Sequence, residues 1–272
     1  LDSVQSFILG VVQGITEFLP ISSTAHLVLV PWLFSWHDAG LPYNIALHLG
    51  SLIAILIYFY NDWKRIISEF IKCTFNGSYK GSNDGRLGLF LVIGTIPGVI
   101  SGFLFQSYAS GILRNPLSIA AALALFGLFL YFADRRTSNE KKIEDMDLKD
   151  CLFFGIAQAF AIIPGVSRSG VTITGGLLRN FNREEAARFS FLLSAPLIAG
   201  ATVLESRQIT DDIFTKPQFI IGVVSSAVTA YFVIRFLLAF LRRQNFKIFV
   251  VYRLILALLI VVITLINNNT LQ

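Results

Sequence analysis

The stretch Gln13-Gly14-Ile15-Thr16-Glu17-Phe18-Leu19-Pro20-Ile21-Ser22-Ser23-Thr24-Ala25-His26 decides how this chain folds. It lies in the middle of an apolar region, about residues 3–36. It carries a carboxylate, a proline and three adjacent hydroxyls where a spanning helix would carry aliphatic side chains. A second interruption, Pro164-Gly165-Val166-Ser167-Arg168-Ser169-Gly170-Val171-Thr172, divides the apolar region 150–180 in the same way. Irregular backbone at bilayer depth is tolerated only where protein surrounds it or where it lines a water-filled cavity. Each half is too short or too polar to span comfortably. Both regions therefore read as re-entrant helix–loop–helix hairpins, each entering and leaving by one face.

Outward from the hairpins, six segments are long and apolar enough to cross a bilayer, which takes roughly 20 residues: about 43–60, 87–106, 117–133, 186–204, 218–239 and 248–266. Composition agrees. Of 272 residues, 54% are hydrophobic and 14% charged, with mean hydropathy +0.67; an ordinary soluble domain carries about 25% charged residues. This excludes a soluble domain, a disordered chain, collagen and a coiled coil. Two cysteines, Cys73 and Cys151, are too few for a disulfide scaffold, and neither has a partner at metal-ligand spacing. The net charge of +5 comes from basic residues flanking apolar segments, which points to the membrane surface and not to nucleic acid. Residues 1–20 lack a basic n-region and a small-residue cleavage site, so no cleavable signal is expected. The expected fold class is an all-α integral membrane protein of six spanning helices plus two re-entrant hairpins.

Threading that pattern through a membrane sends sixteen lysines and arginines to one side, from Lys64 and Arg65 to Arg243 and Lys247. Only Arg114, Arg207 and Lys216 reach the other. The positive-inside rule makes the first side cytoplasmic and both termini outward. Were either hairpin a full span, every later loop would change sides and the asymmetry would collapse. At an offset of 145, Gly10 falls on Gly155, Gln13 on Gln158, Ser22 on Ser167, and Leu52-Ile53-Ala54 on Leu197-Ile198-Ala199. One membrane domain, 1–272, is expected, with an inverted-topology repeat (about 1–133 and 150–266) joined by a charged, solvated cytoplasmic loop, 134–149. In such repeats the broken segments meet near midplane and build the site there.

Glu17 is the only acid between Asp2 and Asp38. A carboxylate at that depth is a functional candidate by default. Gln13 shares its helix face, four residues earlier. His26 follows the break and can donate, accept or carry a proton near neutral pH. Ser22, Ser23 and Thr24 supply hydroxyls. In the second break, Arg168 is a permanent cation flanked by Ser167 and Ser169, with Gly170 and Thr172 beyond. Together with a half-helix N-terminus this makes an oxyanion cradle, for which phosphate is the best fit. A plainer alternative uses the serines as helix caps and pairs Glu17 with Arg168 inside the bundle. His48 begins the first full span and either faces the site or, as the plainer reading, is a hydrogen-bonded bundle histidine; Trp32 and Trp36 read as interfacial anchors beside His37, and Arg235 and Arg253 as snorkelling or paired residues.

The two motifs together resemble those of the undecaprenyl-diphosphate phosphatase family, also known as the bacitracin-resistance proteins. The resemblance covers essentially the whole chain. It implies an enzyme of the bacterial inner membrane that removes the terminal phosphate of undecaprenyl diphosphate and so recycles the lipid carrier of envelope polymers. It implies dependence on a divalent cation, magnesium or calcium, with Glu17 as a candidate ligand; Gln13 stands at a position the family fills with Glu or Gln. Arg168, Ser167, Ser169, Thr172 and backbone amides would hold the diphosphate. Ser23 would attack phosphorus with His26 as acid/base, or His26 would attack itself, while Glu17 orients His26, takes a proton or binds the cation. The expected partners are undecaprenyl diphosphate and membrane lipid, with no nucleic acid and an oligomer left open. The expected site is a water-filled pocket open to the outer face, floored by both loops. A histidine six residues after Arg168 would signal the phosphatidic-acid phosphatase type, but Thr174 stands there. A lipid-phosphate transporter on the same inverted repeat is the runner-up.

Overall fold

The computed structural model describes residues 2–37, 40–138, 140–206 and 216–269. Among them the chain is all helical, with no strand: α1 (Ser3–Phe18), α2 (Ser23–Leu33), α3 (Gly40–Tyr58), α4 (Tyr60–Phe75), α5 (Asn83–Ser110), α6 (Pro116–Arg136), α7 (Leu148–Ala159), α8 (Arg168–Leu178), α9 (Arg183–Ser206), α10 (Pro217–Leu241) and α11 (Lys247–Asn269). Of the three basic residues expected outside, Arg207 lies outside the described residues.

Local chemistry sets the boundaries near the site. Asp2 and Gln5 form a capping box that starts α1. Proline at position 20 forbids the helical conformation at Leu19, which turns extended at φ −67° and ψ 140° and ends the helix. Asp147 and Asp150 open α7 with a second capping box. Ser22 caps α2 and Ser167 caps α8, and both sit at positive φ, 75° and 70°. A non-glycine residue held there is strained by on the order of 1–3 kcal/mol. Two serines 145 residues apart thus hold the same uncommon conformation at the same place in two helix–loop–helix units.

Among the described residues, five helices are long and apolar enough to cross a membrane: Asn83–Phe105, Pro116–Arg136, Arg183–Leu204, Pro217–Leu241 and Lys247–Ile266. Large apolar side chains line their outer surfaces, among them Phe103, Phe132, Phe232, Leu258 and Leu265. This apolar exterior, repeated over five helices, is that of a multi-pass membrane protein. The expected segment 43–60 falls on α3, whose described apolar part, Ala46–Tyr58, is shorter than the other five.

Close approaches knit the hairpins into the bundle. α1 packs on α10, where a Cβ on Gly10 would lie 2.6 Å from the Gly222 carbonyl oxygen. α7 packs on α5 in the same manner, with a Cβ on Gly155 coming 2.8 Å from the Gly94 oxygen. Most of the buried apolar side chains form one core that joins α1, α3, α5, α7, α9 and α10, including Phe18, Ile55, Phe154, Phe189, Leu193 and Ile234.

Two regions between the expected spans are ordered. Residues 60–75 form the amphipathic α4, because Trp63, Ile66, Phe70 and Cys73 recur at helical spacing; Ile66 and Cys73 are buried. The connector 134–149 is docked and not freely solvated. Met146 is buried, the Arg86 guanidinium donates to its carbonyl at 2.6 Å, and Lys141 exchanges backbone hydrogen bonds with Asn180 and Asn182. The buried Asp150 carboxylate ties this strap to hairpin two by pairing with both Lys141 and Arg179. Net charge alone hid this anchoring.

Candidate active site

Glu17 lies one residue before the break, so its side chain reaches the space between the two loops. Every donor around it comes from a different part of the chain. Arg168 donates from Nη2 to Oε1 at 2.7 Å. Ser23 donates from its hydroxyl to Oε2 at 2.7 Å, and Gln13 donates from Nε2 to the same oxygen at 3.0 Å. His48 of α3 brings Nε2 to 3.6 Å from Oε2. Gln13, Glu17, Ser23 and Arg168 are thus gathered on one carboxylate, with His48 at its edge. His48 combines the two readings its sequence position allows, a bundle histidine and a site neighbour. Its Nδ1 does bond the Asn44 carbonyl, at 2.7 Å, but the opposite nitrogen faces Glu17.

Arg168 is the first residue of α8, and its Nη1 also donates to the Ser190 carbonyl at 3.2 Å. That second bond aims the guanidinium across the gap. The side chains of Glu17 and Arg168 are 5% and 10% exposed, so the pair is nearly closed to water. Two opposite charges in a low-dielectric interior neutralise one another when nothing else occupies the site. Between the loops stands the Glu17–Arg168 pair that the plainer alternative described. Ser23 is half-buried and Thr24 exposed, which makes the first turn of α2 the wettest part of the arrangement.

The remaining candidates serve the loops. Ser22 and Ser167 direct their hydroxyls to backbone amides, of Ala25 at 3.4 Å and Gly170 at 3.2 Å. Ser169 donates to the Leu19 carbonyl at 3.1 Å and so links one loop to the other. Thr172 is fully buried against Ser190, 2.6 Å away, and does not reach Glu17. Gly170 lets Arg253 approach, since a Cβ there would meet its Nη1 at 2.9 Å. His26 turns away from Glu17: Nδ1 bonds the Ser22 carbonyl at 2.7 Å, and Nε2 bonds the Tyr252 hydroxyl at 2.6 Å. Tyr252 and Arg253 were missed as site neighbours. Arg253 does not snorkel, and among the described residues no acid pairs with it; it is fully buried among backbone carbonyls, whereas Arg235 is exposed.

A divalent cation finds little to hold it in this arrangement. Both oxygens of Glu17 accept hydrogen bonds, a guanidinium already supplies positive charge, and no group of three His, Cys, Asp or Glu residues is suited to a metal among the described residues. Gln13 Oε1 beside it is buried without a partner. A large cavity, about 860 Å³, lies elsewhere, lined by Asp62, Arg65, Glu69, Asp84, Lys142 and Arg188. No hairpin residue borders it.

A carboxylate, a hydroxyl and a guanidinium in mutual contact, next to a helix N-terminus, can bind an oxyanion and pass a proton. Comparison with known proteins gives the same arrangement a family. The chain is 48% identical over 260 residues to an undecaprenyl-diphosphatase of Moorella thermoacetica, covering 96% of this chain and 97% of that protein. It is 44% identical over 268 residues to the undecaprenyl-diphosphatase of Desulforudis audaxviator, covering 98% and 100%. A third, from Pelotomaculum thermopropionicum, is 45% identical over 260 residues, covering 95% and 96%. The profile described as Bacitracin resistance protein BacA matches residues 6–259, a span that includes both broken loops and every residue gathered at Glu17. On that match the chain belongs to the bacitracin resistance protein BacA family.

Proposed function

We propose that this protein is an integral membrane lipid phosphatase that hydrolyses undecaprenyl diphosphate to undecaprenyl phosphate and inorganic phosphate, returning the carrier to cell-wall synthesis. The observation that carries the reading is the contact of Ser23 and Arg168 through Glu17, in a chain whose relatives are named undecaprenyl-diphosphatases.

In this reading the ion pair is the resting state. The terminal phosphate replaces Glu17 on Arg168, whose planar fork fits two phosphate oxygens at once. The first-turn amides of α8, which have no intrahelical acceptor, complete the cradle. Ser23, whose proton already points at Glu17, attacks the terminal phosphorus. The new O–P bond forms as the bridging P–O bond breaks, and its electron pair leaves on undecaprenyl phosphate. Glu17 takes the serine proton. Water then attacks the phosphoserine while its proton passes to His26; the O–P bond to Ser23 breaks, Glu17 returns its proton to the serine oxygen, and inorganic phosphate is freed. Arg168 and the amides offset charge on the transferring group, the usual main source of phosphoryl-transfer catalysis. His26 as nucleophile would first have to leave Tyr252, so attack by Ser23 needs less rearrangement, and His26 keeps the acid/base role for the attacking water.

The same reading makes α1–α2 and α7–α8 re-entrant hairpins, α3 a sixth span, and the two halves an inverted repeat. It puts both termini outward in the bacterial inner membrane and opens the site to the outer face. The equal φ at Ser22 and Ser167 and the matched packing of Gly10 and Gly155 support the repeat. The test is phosphate release from undecaprenyl diphosphate by the purified protein in detergent. Hydrolysis needs no gradient, so release is expected there; a lipid left intact by folded protein, with magnesium or calcium supplied, would refute the phosphatase.

A further inference from the structure

α11 passes behind both broken loops and turns two adjacent residues toward them. Arg253 is fully buried, and no acid pairs with it among the described residues. Its guanidinium donates instead to five backbone carbonyls. Nε bonds Leu123 at 3.0 Å and Nη1 bonds Pro20 at 3.2 Å. Nη2 is shared by Ala122 at 3.4 Å, Gly165 at 3.0 Å and Val166 at 3.1 Å. Pro20 belongs to the first loop, Gly165 and Val166 to the second.

A broken helix leaves carbonyls without a partner. At bilayer depth water cannot supply one, and each orphan is unfavourable by several kcal/mol. Arginine meets that need as no other side chain does, with five donors in a rigid plane and a charge it keeps. A bond to each loop from one planar group also fixes the distance between the loops. That distance sets whether Ser23 and Arg168 reach the same carboxylate.

Tyr252 acts on the first hairpin alone. The Ser22 carbonyl can only accept, so Nδ1 of His26 carries its proton and Nε2 takes the hydrogen of the Tyr252 hydroxyl at 2.6 Å. The rings stack at 5.7 Å between centroids with a 10° tilt. Both the tautomer and the plane of His26 are thereby set from α11.

We propose that Tyr252 and Arg253 are positioning residues of the phosphatase site: Arg253 locks the two loop backbones together, and Tyr252 fixes the ring and tautomer of His26. This rests on the phosphatase reading above, and its test has one readout that does not.

The test compares Tyr252→Phe, Arg253→Lys, His26→Ala and the double variant His26→Ala/Tyr252→Phe, each corrected for its folded fraction. Tyr252→Phe keeps the ring stack, so its Tm should match the unsubstituted protein while kcat falls ~10-fold with KM nearly unchanged. In the His26→Ala background it should cause no further loss, since its role passes through that ring. Arg253→Lys, with three donors and no plane, should lower kcat per folded molecule by roughly 10–100-fold. Independently of turnover, Tyr252→Phe unmasks Nε2, so diethyl pyrocarbonate should modify His26 faster, read by peptide mass. Unchanged His26 reactivity, or losses that multiply in the double variant, would overturn the role of Tyr252. An Arg253→Lys protein whose folded fraction keeps full kcat would overturn that of Arg253. If the unsubstituted protein releases no phosphate, the function fails, and His26 reactivity together with the Tm of Arg253→Lys still decides whether α11 holds the loops: an unchanged Tm would mean it does not.

Discussion

Each oxygen of Glu17 is matched to a different hairpin, Oε1 to Arg168 and Oε2 to Ser23. Removing the guanidinium leaves a buried carboxylate without its cation and the phosphate without its clamp. Arg168→Ala is therefore expected to lower turnover at least ~100-fold, about 3 kcal/mol of lost transition-state stabilisation. Arg168→Lys should recover only part of it, because an ammonium cannot bridge two oxygens. Steady-state phosphate release by the two variants, beside the unsubstituted protein, checks both statements. Gln13, Glu17, Ser23 and Arg168 were legible in the sequence because charge and hydroxyls at apolar depth need a reason. Tyr252 was not, since it bonds a histidine 226 positions away and nothing near it in the chain marks it. His48 likewise needed the fold to bring α3 against α1.

At the scale of elements, the breaks were readable because proline and clustered polar residues are incompatible with a spanning helix, and the structure ends α1 at Phe18 and starts α8 at Arg168. α4 was not read, because its polar half resembles a loop and its apolar stripe is only four residues. Nor was the docking of the connector, which depends on Met146 and Asp150 being buried. The contact of α1 with α10 has a direct test. An added methyl at Gly10 meets the Gly222 carbonyl, which is backbone and cannot swing aside. Gly10→Ala should destabilise the protein by roughly 1–3 kcal/mol. Thermal unfolding in detergent reads this as a lowered Tm, with Gly102→Ala, where a Cβ meets nothing, as the neutral control.

For the whole molecule, the account joins a charge asymmetry to an orientation. In the proposed topology the docked connector lies on the side that receives most of the lysines and arginines, so that face should be cytoplasmic. A cysteine introduced at the exposed Ser138 should resist a membrane-impermeant thiol reagent in intact cells and react once the cells are opened. Labelling in intact cells would invert the topology and move the site away from the outer face. The central claim is that two hairpins from opposite halves of the chain build one phosphatase centre. Phosphate release from undecaprenyl diphosphate by Ser23→Ala, Arg168→Ala and the double variant, at equal folded concentration, tests it most directly. Groups that act as one unit are lost together, so each single change should reduce the rate by ~100-fold or more and the double change by little beyond the worse single. Losses that multiply, or either single variant turning over at the unsubstituted rate, would contradict a shared site.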